Sequence, residues 1–344
     1  MTVKKVLQVV IGLALAAALL IWGLPHFAKT SWGEIWAIVR TVTWTNIVLY
    51  QGLMLLGLYA YTFTFTGALR GLSHGKALIV NLCGSSVSNL LPAGGAVGLG
   101  ATYAILRSWG FSQRATSTAA IVTGVWNLLA RIALPVIAIL ALWWGNRNLP
   151  SALADAAIAG LISGLGILVL FIAMLASERV SLTMGRLVDR ALGLFRNRRA
   201  HAGRIEELVH DMRQRTNDIV RYGWLRMTLG MIGFFGFYFV LFVLILRGTG
   251  VALPLGMLFA AFAIGRLLTA VGVTPGGLGV TETASAATLV AWGAPPAAAT
   301  AGVVLFSIFT HIMEVPLGAL GWVLWSASPK SEQVEEEPQA ASAG

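Results

Sequence analysis

Charge is scarce in this sequence. Only 11% of the 344 residues are Asp, Glu, Lys or Arg, against about 25% in a soluble domain. Most of the chain therefore has no water-facing surface to cover, which excludes a soluble enzyme. Cysteine is nearly absent. The single Cys83 permits no internal disulfide and no paired-cysteine metal or redox centre. No Gly-Lys-Ser/Thr triplet occurs, so a Walker loop is excluded as well.

What fills the chain instead is apolar: 57% of residues are hydrophobic and the mean hydropathy is +0.79. The stretches 6–28, 41–69, 77–106, 156–177, 227–246 and 283–310 each lack Asp, Glu, Lys and Arg. About 20 apolar residues of helix cross a bilayer, whereas barrel strands would be about 10 residues long and alternating. The expected fold is an all-α polytopic membrane protein. The net charge of +10 reads as positive-inside bias rather than a nucleic-acid surface. The first apolar run extends to about Leu24, longer than a signal peptide's core, and predicts a retained helix.

Loop charges predict the topology. Lys4 and Lys5 place the N-terminus in the cytoplasm, the loop 25–46 outside, and Arg70 and Lys76 inside, around a second helix at 47–69. Full spans are predicted at 6–24, 47–69, 115–144, 155–176, 227–246 and 296–325. Residues 178–226 hold eleven arginines against six acids. They are expected in the cytoplasm, with amphipathic helices lying on anionic headgroups or serving only as an orientation signal. The membrane domain is expected to end near residue 326. The Glu-rich tail 327–344 should be disordered, both termini cytoplasmic, and the inner cell membrane the location.

Two apolar stretches, 77–106 and 253–292, are broken by Gly and Pro. From Pro92 to the glycine of Trp109-Gly110 is 18 residues, as it is from Pro275 to that of Trp292-Gly293. A proline in the following helix comes at Pro135 and Pro316. This is an internal repeat. Helix 47–69 enters the first unit from the cytoplasm, whereas helix 227–246 enters the second from outside, so the units are inverted. Inverted repeats with broken helices point to a transport site near the midplane. The arms in the first unit are too short to span, which predicts a re-entrant hairpin. In the second, 253–273 is long enough to span, and hairpin and span both remain open.

The broken segments are Asn89-Leu-Leu-Pro92-Ala-Gly94-Gly95-Ala-Val-Gly98 and Thr274-Pro275-Gly276-Gly277-Leu-Gly279-Val-Thr-Glu282. Proline breaks a helix, glycine allows close approach, and freed N–H groups at a half-helix start attract anions. The alternative is tight helix packing through small residues. Arg131, Arg266, Glu282, His311 and Glu314 stand within apolar stretches, where ionisable groups face the interior and pair or serve a pathway. The two arginines either hold a lipid phosphate or are neutralised by Glu282 and Glu314. His311 and Glu314 are one turn apart, a spacing open to a proton relay as well as to a purely structural role; no third ligand is near, so neither metal nor cofactor is expected. Asn89 and Asn127 read as helix breakers or inter-helix hydrogen bonds, or as substrate ligands.

At these two loops the sequence resembles the lysylphosphatidylglycerol synthase transmembrane region, a flippase-like family. Thr274 to Glu282 carries the family's Thr-Pro-Gly-Gly-x-Gly-x-x-Glu pattern in full, and Asn89, Pro92, Gly95 and Gly98 carry the earlier Asn-x-x-Pro pattern. The chain departs from it after Gly98, where no Arg follows, and at Thr123-Gly124, in place of an acidic-Arg pair. The aminoacyl-transferring domain of full-length synthases is absent, so lysyl transfer is not expected. The resemblance implies a non-enzymatic translocase for an anionic phospholipid or a polyprenyl-phosphate-linked lipid. The alternative is a scaffold for an envelope glycosyltransferase or lipid-synthesis complex.

Overall fold

The computed structural model describes residues 17–91, 94–144, 204–269 and 274–331, with isolated positions besides. Pro92, the tail beyond 331, and nearly all of the predicted helix 155–176 and the basic stretch 178–203 lie outside the described residues, as does most of the first apolar run. Among the described residues all regular structure is helical: α1 (Leu19–Ala28), α2 (Trp32–Val39), α3 (Trp44–Ala68), α4 (His74–Leu90), α5 (Gly94–Ser108), α6 (Gln113–Trp144), α7 (Arg204–Gly248), α8 (Leu255–Leu268), α9 (Val280–Ala291), α10 (Pro296–Ser307) and α11 (Glu314–Ala327). Among the described residues, four helices are long and apolar enough to cross a bilayer: Trp44–Ala68, Gln113–Leu142, Ile219–Gly248 and the α10–α11 rod Pro296–Ala327. The chain is a multi-pass α-helical membrane protein.

Side chains and turns set the helix limits. Thr43 caps α3 through the Asn46 N–H at 3.3 Å and Ser73 caps α4 through the Lys76 N–H at 3.3 Å, each satisfying an otherwise orphaned donor. Gly71 and Gly250, at φ of 83° and 99°, precede the two hairpins, and Gly110 and Gly293, at 84° and 92°, follow them. The same order of parts thus recurs: long helix, glycine turn, two short arms, glycine turn, long helix.

The two entry helices, α3 and α7, pack along each other. Tyr50 Oη donates to the Leu244 carbonyl at 3.4 Å, Thr64 Oγ1 donates to the Met227 carbonyl at 3.3 Å, and Gly67 lies against Gly223. Residue numbers rise on one helix as they fall on the other, so the pair is antiparallel and the two units enter in opposite directions. The hairpins then cross over. Arm α4 of the first unit packs on α11, the exit helix of the second, while arm α8 of the second packs on α6, the exit helix of the first. At the seam a Cβ on Gly318 would clash with Ser86, and Gly321 sits 3.1 Å from Cys83 Sγ on the same measure. Small residues let the backbones approach.

Three features differ from the sequence reading, and a fourth concerns a point that reading left open. The loop 25–46 contains α2, started by a capping box: the Ser31 hydroxyl accepts from Glu34 N–H at 3.3 Å and Glu34 accepts from Ser31 N–H at 2.9 Å. Its Ile35 is fully buried and the helix packs on α10. Residues 204–226 do not form a separate surface-lying helix. They continue without a break into the span as one 45-residue α7, roughly 68 Å long, with Gly223 at the junction packed against Gly67. The last apolar helix is interrupted by a π turn at Ile308–Ile312, just before Pro316. In the second unit, α8 has only 14 residues, about 21 Å against a hydrocarbon core of about 30 Å, so both units have short arms.

Candidate functional site

The broken segments meet each other. Helices α4 and α5 both pack on the Pro275–Gly277 turn. A Cβ on Gly276 would stand 3.0 Å from Asn89 Oδ1 and 3.2 Å from the His311 ring. No larger residue fits there, and the φ of 59° is one that side chains rarely adopt. In the first hairpin, a Cβ on Gly98 would run into Ser88 and the Gly84 carbonyl, while Gly95 has open space around it. Gly98 therefore serves arm-to-arm packing and Gly95 does not.

Around this meeting point lies a cavity of about 530 Å3, within the size range of small-molecule sites. It is lined by Asn89, Gly94, Gly95 and Gly98 from the first unit and by Arg266, Thr274, Gly276 and Gly277 from the second. Arg131 from α6 and His311 and Glu314 from the last helix complete it. These eleven residues, all singled out in the sequence, thus line one cavity, and Asn127 joins them. Pro92 lies outside the described residues, and Pro275 and Gly279 are buried behind the turn.

The polar groups are organised by the crossed packing. Arg131 donates from Nε to Asn127 Oδ1 at 2.7 Å, from Nη1 to the Arg266 carbonyl at 2.9 Å, and to Thr269 Oγ1. Asn127 in turn donates to Tyr61 Oη at 2.9 Å, so Asn127 makes an inter-helix bond. On the opposite side, Glu314 accepts from Asn89 Nδ2 at 2.9 Å and from Tyr238 Oη at 3.0 Å. Asn89 also reaches the His311 carbonyl at 3.4 Å. Each exit helix therefore presents one charged residue to the other unit's broken arm, a base on α6 and an acid on α11.

Arg266 is 7% exposed, with its guanidinium over the rings of Phe306 and Phe262 at 5.0 and 5.7 Å. Among the described residues, neither Arg266 nor Arg131 is ion-paired to a carboxylate. Mutual neutralisation by salt bridges, one of the two sequence readings, is not what the geometry holds. The hydroxyl of Thr274, 2% exposed and on the cavity wall, has no hydrogen-bond partner among the described residues. Buried polar atoms are rarely left so.

Glu282, a candidate partner for the arginines, does not line the large cavity. It lies behind the large cavity in a chamber of only about 10 Å3, shared with Arg266, Ser307 and His311. Its carboxylate is drawn back to the start of its own helix α9, accepting from Gly279 N–H at 2.6 Å and Thr281 Oγ1 at 3.0 Å, and from Ser307 Oγ. Helix N-termini favour such an anion. His311 borders both chambers, with Nδ1 at 3.3 Å from Ser307 Oγ and 3.2 Å from Thr310 Oγ1.

The sequence reading missed Tyr61, Tyr238, Thr269 and Ser307. The available signal was slight: a hydroxyl within a charge-free span has to find a partner when buried. Residues 9–318 match the family model described as lysylphosphatidylglycerol synthase TM region. No curated protein matches the chain.

Proposed function

The chain belongs to the lysylphosphatidylglycerol synthase TM region family, a lipid-related flippase-like membrane domain, and on that premise we propose that it moves an anionic lipid headgroup between leaflets through the cavity. The headgroup is a phosphate, carried on a phospholipid or a polyprenyl chain. One observation carries the reading: two guanidiniums without carboxylate partners line a cavity where two broken hairpins meet. Buried cations ordinarily pair, and guanidinium forks suit phosphate. The orphan Thr274 hydroxyl adds a donor on the same wall. The hairpins are taken as re-entrant, so that irregular backbone at membrane depth lines a polar cavity. No bond is made or broken, so the protein is read as a transporter rather than an enzyme, placed in the inner membrane with both termini cytoplasmic.

Leaflet-resolved lipid movement in proteoliposomes tests this. Purified protein is expected to accelerate exchange of phosphatidylglycerol or a polyprenyl phosphate over phosphatidylcholine. If no anionic lipid moves faster than in empty vesicles, the transport reading fails and a scaffold role takes its place.

A further inference from the structure

We infer that an anionic headgroup enters the cavity together with one proton, and that Glu314 is where this proton lands. The inference rests on the anionic-lipid reading above and adds a co-substrate to it. Among the described residues, the charged groups lining the large cavity and the chamber behind it are Arg131, Arg266, Glu282 and Glu314. With His311 neutral, two cations and two anions balance. A phosphodiester adds one negative charge to a site shielded from water, where unbalanced charge is costly. A proton taken up with it restores neutrality.

Three groups compete for that proton. Glu282 is 2% exposed, does not line the large cavity, and has three donors directed at it, one of them the Gly279 N–H at the head of α9, so that both of its oxygens are already engaged. His311 shares both of its chambers with the Arg266 guanidinium, and a second positive charge there is disfavoured. Glu314 lines the large cavity directly and has only two donors, both neutral: the Asn89 amide and the Tyr238 hydroxyl. The groups facing it are Asn89 from α4, Tyr238 from α7, Arg266 from α8, His311 from the π turn and, across the cavity, Arg131 from α6. None of these cations is ion-paired to it.

The step balances simply. A hydronium ion reaching the cavity from bulk solvent transfers its proton to Glu314 Oε2: one of its O–H bonds breaks as the new one forms, neutral water is released, and no bond in the protein breaks. Oε1 still accepts from Tyr238, and the new O–H donates to the headgroup or to Asn89 Oδ1 after its amide turns over. When the headgroup leaves, the proton leaves with it. Lipid and proton then move as a neutral pair, which couples transport to pH without nucleotide.

Calorimetry on the purified full chain in micelles tests the inference. The probe is dihexanoyl phosphatidylglycerol, a phosphodiester that stays ionised between pH 6 and 8. Titration in buffers of different ionisation enthalpy should show uptake approaching one proton per lipid, and affinity falling towards tenfold per pH unit on the alkaline side. Glu314→Gln should bind with little pH dependence and no uptake. Tyr238→Phe removes one hydrogen bond from the same place but leaves the Glu314 carboxyl, so proton uptake should persist there, which separates loss of the carboxyl from loss of packing. Dihexanoyl phosphatidylcholine, with no net charge, should show no uptake. Binding of phosphatidylglycerol without uptake, or uptake persisting in Glu314→Gln, overturns the proton and leaves the lipid reading standing. No binding of phosphatidylglycerol at any pH overturns both.

Discussion

At Arg131, three acceptors converge on one guanidinium: Asn127 Oδ1, the Arg266 carbonyl and Thr269 Oγ1. Hydrogen bonds to a charged group contribute about 1.5–3 kcal/mol each. If the headgroup uses the remaining face of that fork, Arg131→Ala should slow anionic-lipid movement by roughly 10- to 100-fold in matched proteoliposomes. Arg131→Lys should recover only part of it, since a point charge cannot span the same acceptors. Equal rates in wild type and Arg131→Ala would remove this residue from the site. A second residue-scale expectation concerns Glu34, outside the spans. Hydrogen bonds from Thr30 and then from Ser31 hold its carboxyl below the ordinary carboxylate value. A group with a depressed folded pKa stabilises above its unfolded value, and that stabilisation is lost as pH falls through the folded one. Exchange of the α2 amides, corrected for intrinsic rate, should therefore speed up on acidification, and Glu34→Gln should abolish that dependence. The charged members of the site were legible because ionisable residues stand out in apolar runs. Their hydroxyl partners were not, because Ser, Thr and Tyr are common in such runs and only packing decides which of them are paired.

Elements are held together by close backbone contact more than by polarity. A Cβ on Gly223 would strike the Gly67 carbonyl, and one on Gly318 would strike Ser86. Overpacking of this kind costs about 1–3 kcal/mol. Gly223→Val and Gly318→Val should both lower the midpoint of thermal unfolding in detergent. Gly236→Ala, also within α7 but with nothing within 4 Å of the added carbon, should hold the midpoint or raise it, adding up to about 1 kcal/mol of stability. If all three behave alike, the packing account is wrong. The hairpins were readable because Pro and Gly punctuate apolar runs at a repeated interval. The capping box of α2 was present as Ser31-x-x-Glu34 but was hidden within a stretch read only as a loop between spans. The unbroken course of α7 was illegible for another reason: its polar half and its apolar half suggest different environments, and the contact of Gly223 with Gly67 at their junction is not displayed by sequence.

For the molecule as a whole, antiparallel packing of α3 and α7 puts α2 at one end and the 204–222 part of α7 at the other. The C-terminal end joins the latter side. Trp109 Nε1 donates to Ser328 Oγ at 2.9 Å, and Trp325 Nε1 donates to Ser108 Oγ at 3.0 Å. The reading that the basic segment is cytoplasmic then makes a paired prediction. In a Cys83→Ser background, Gly33→Cys should react with an impermeant thiol reagent from outside intact cells and Ala200→Cys should not. The reverse pattern would invert the topology. The inverted repeat was visible in the sequence as spacing. The exchange of arms, with α4 on α11 and α8 on α6, was not, because spacing carries no information about which faces meet. That exchange brings the two loops and the opposed charges to one cavity, and the account depends on an anionic headgroup occupying it. The most direct test places a photoreactive residue at Leu128, on the cavity wall one turn before Arg131, and separately at Leu140, exposed on the same helix away from it. In membranes of mixed composition, Leu128 should capture anionic lipid selectively, the capture should be lost with Arg131→Ala, and Leu140 should capture lipids in proportion to their abundance. The same lipid profile at both positions, unchanged by Arg131→Ala, would contradict it.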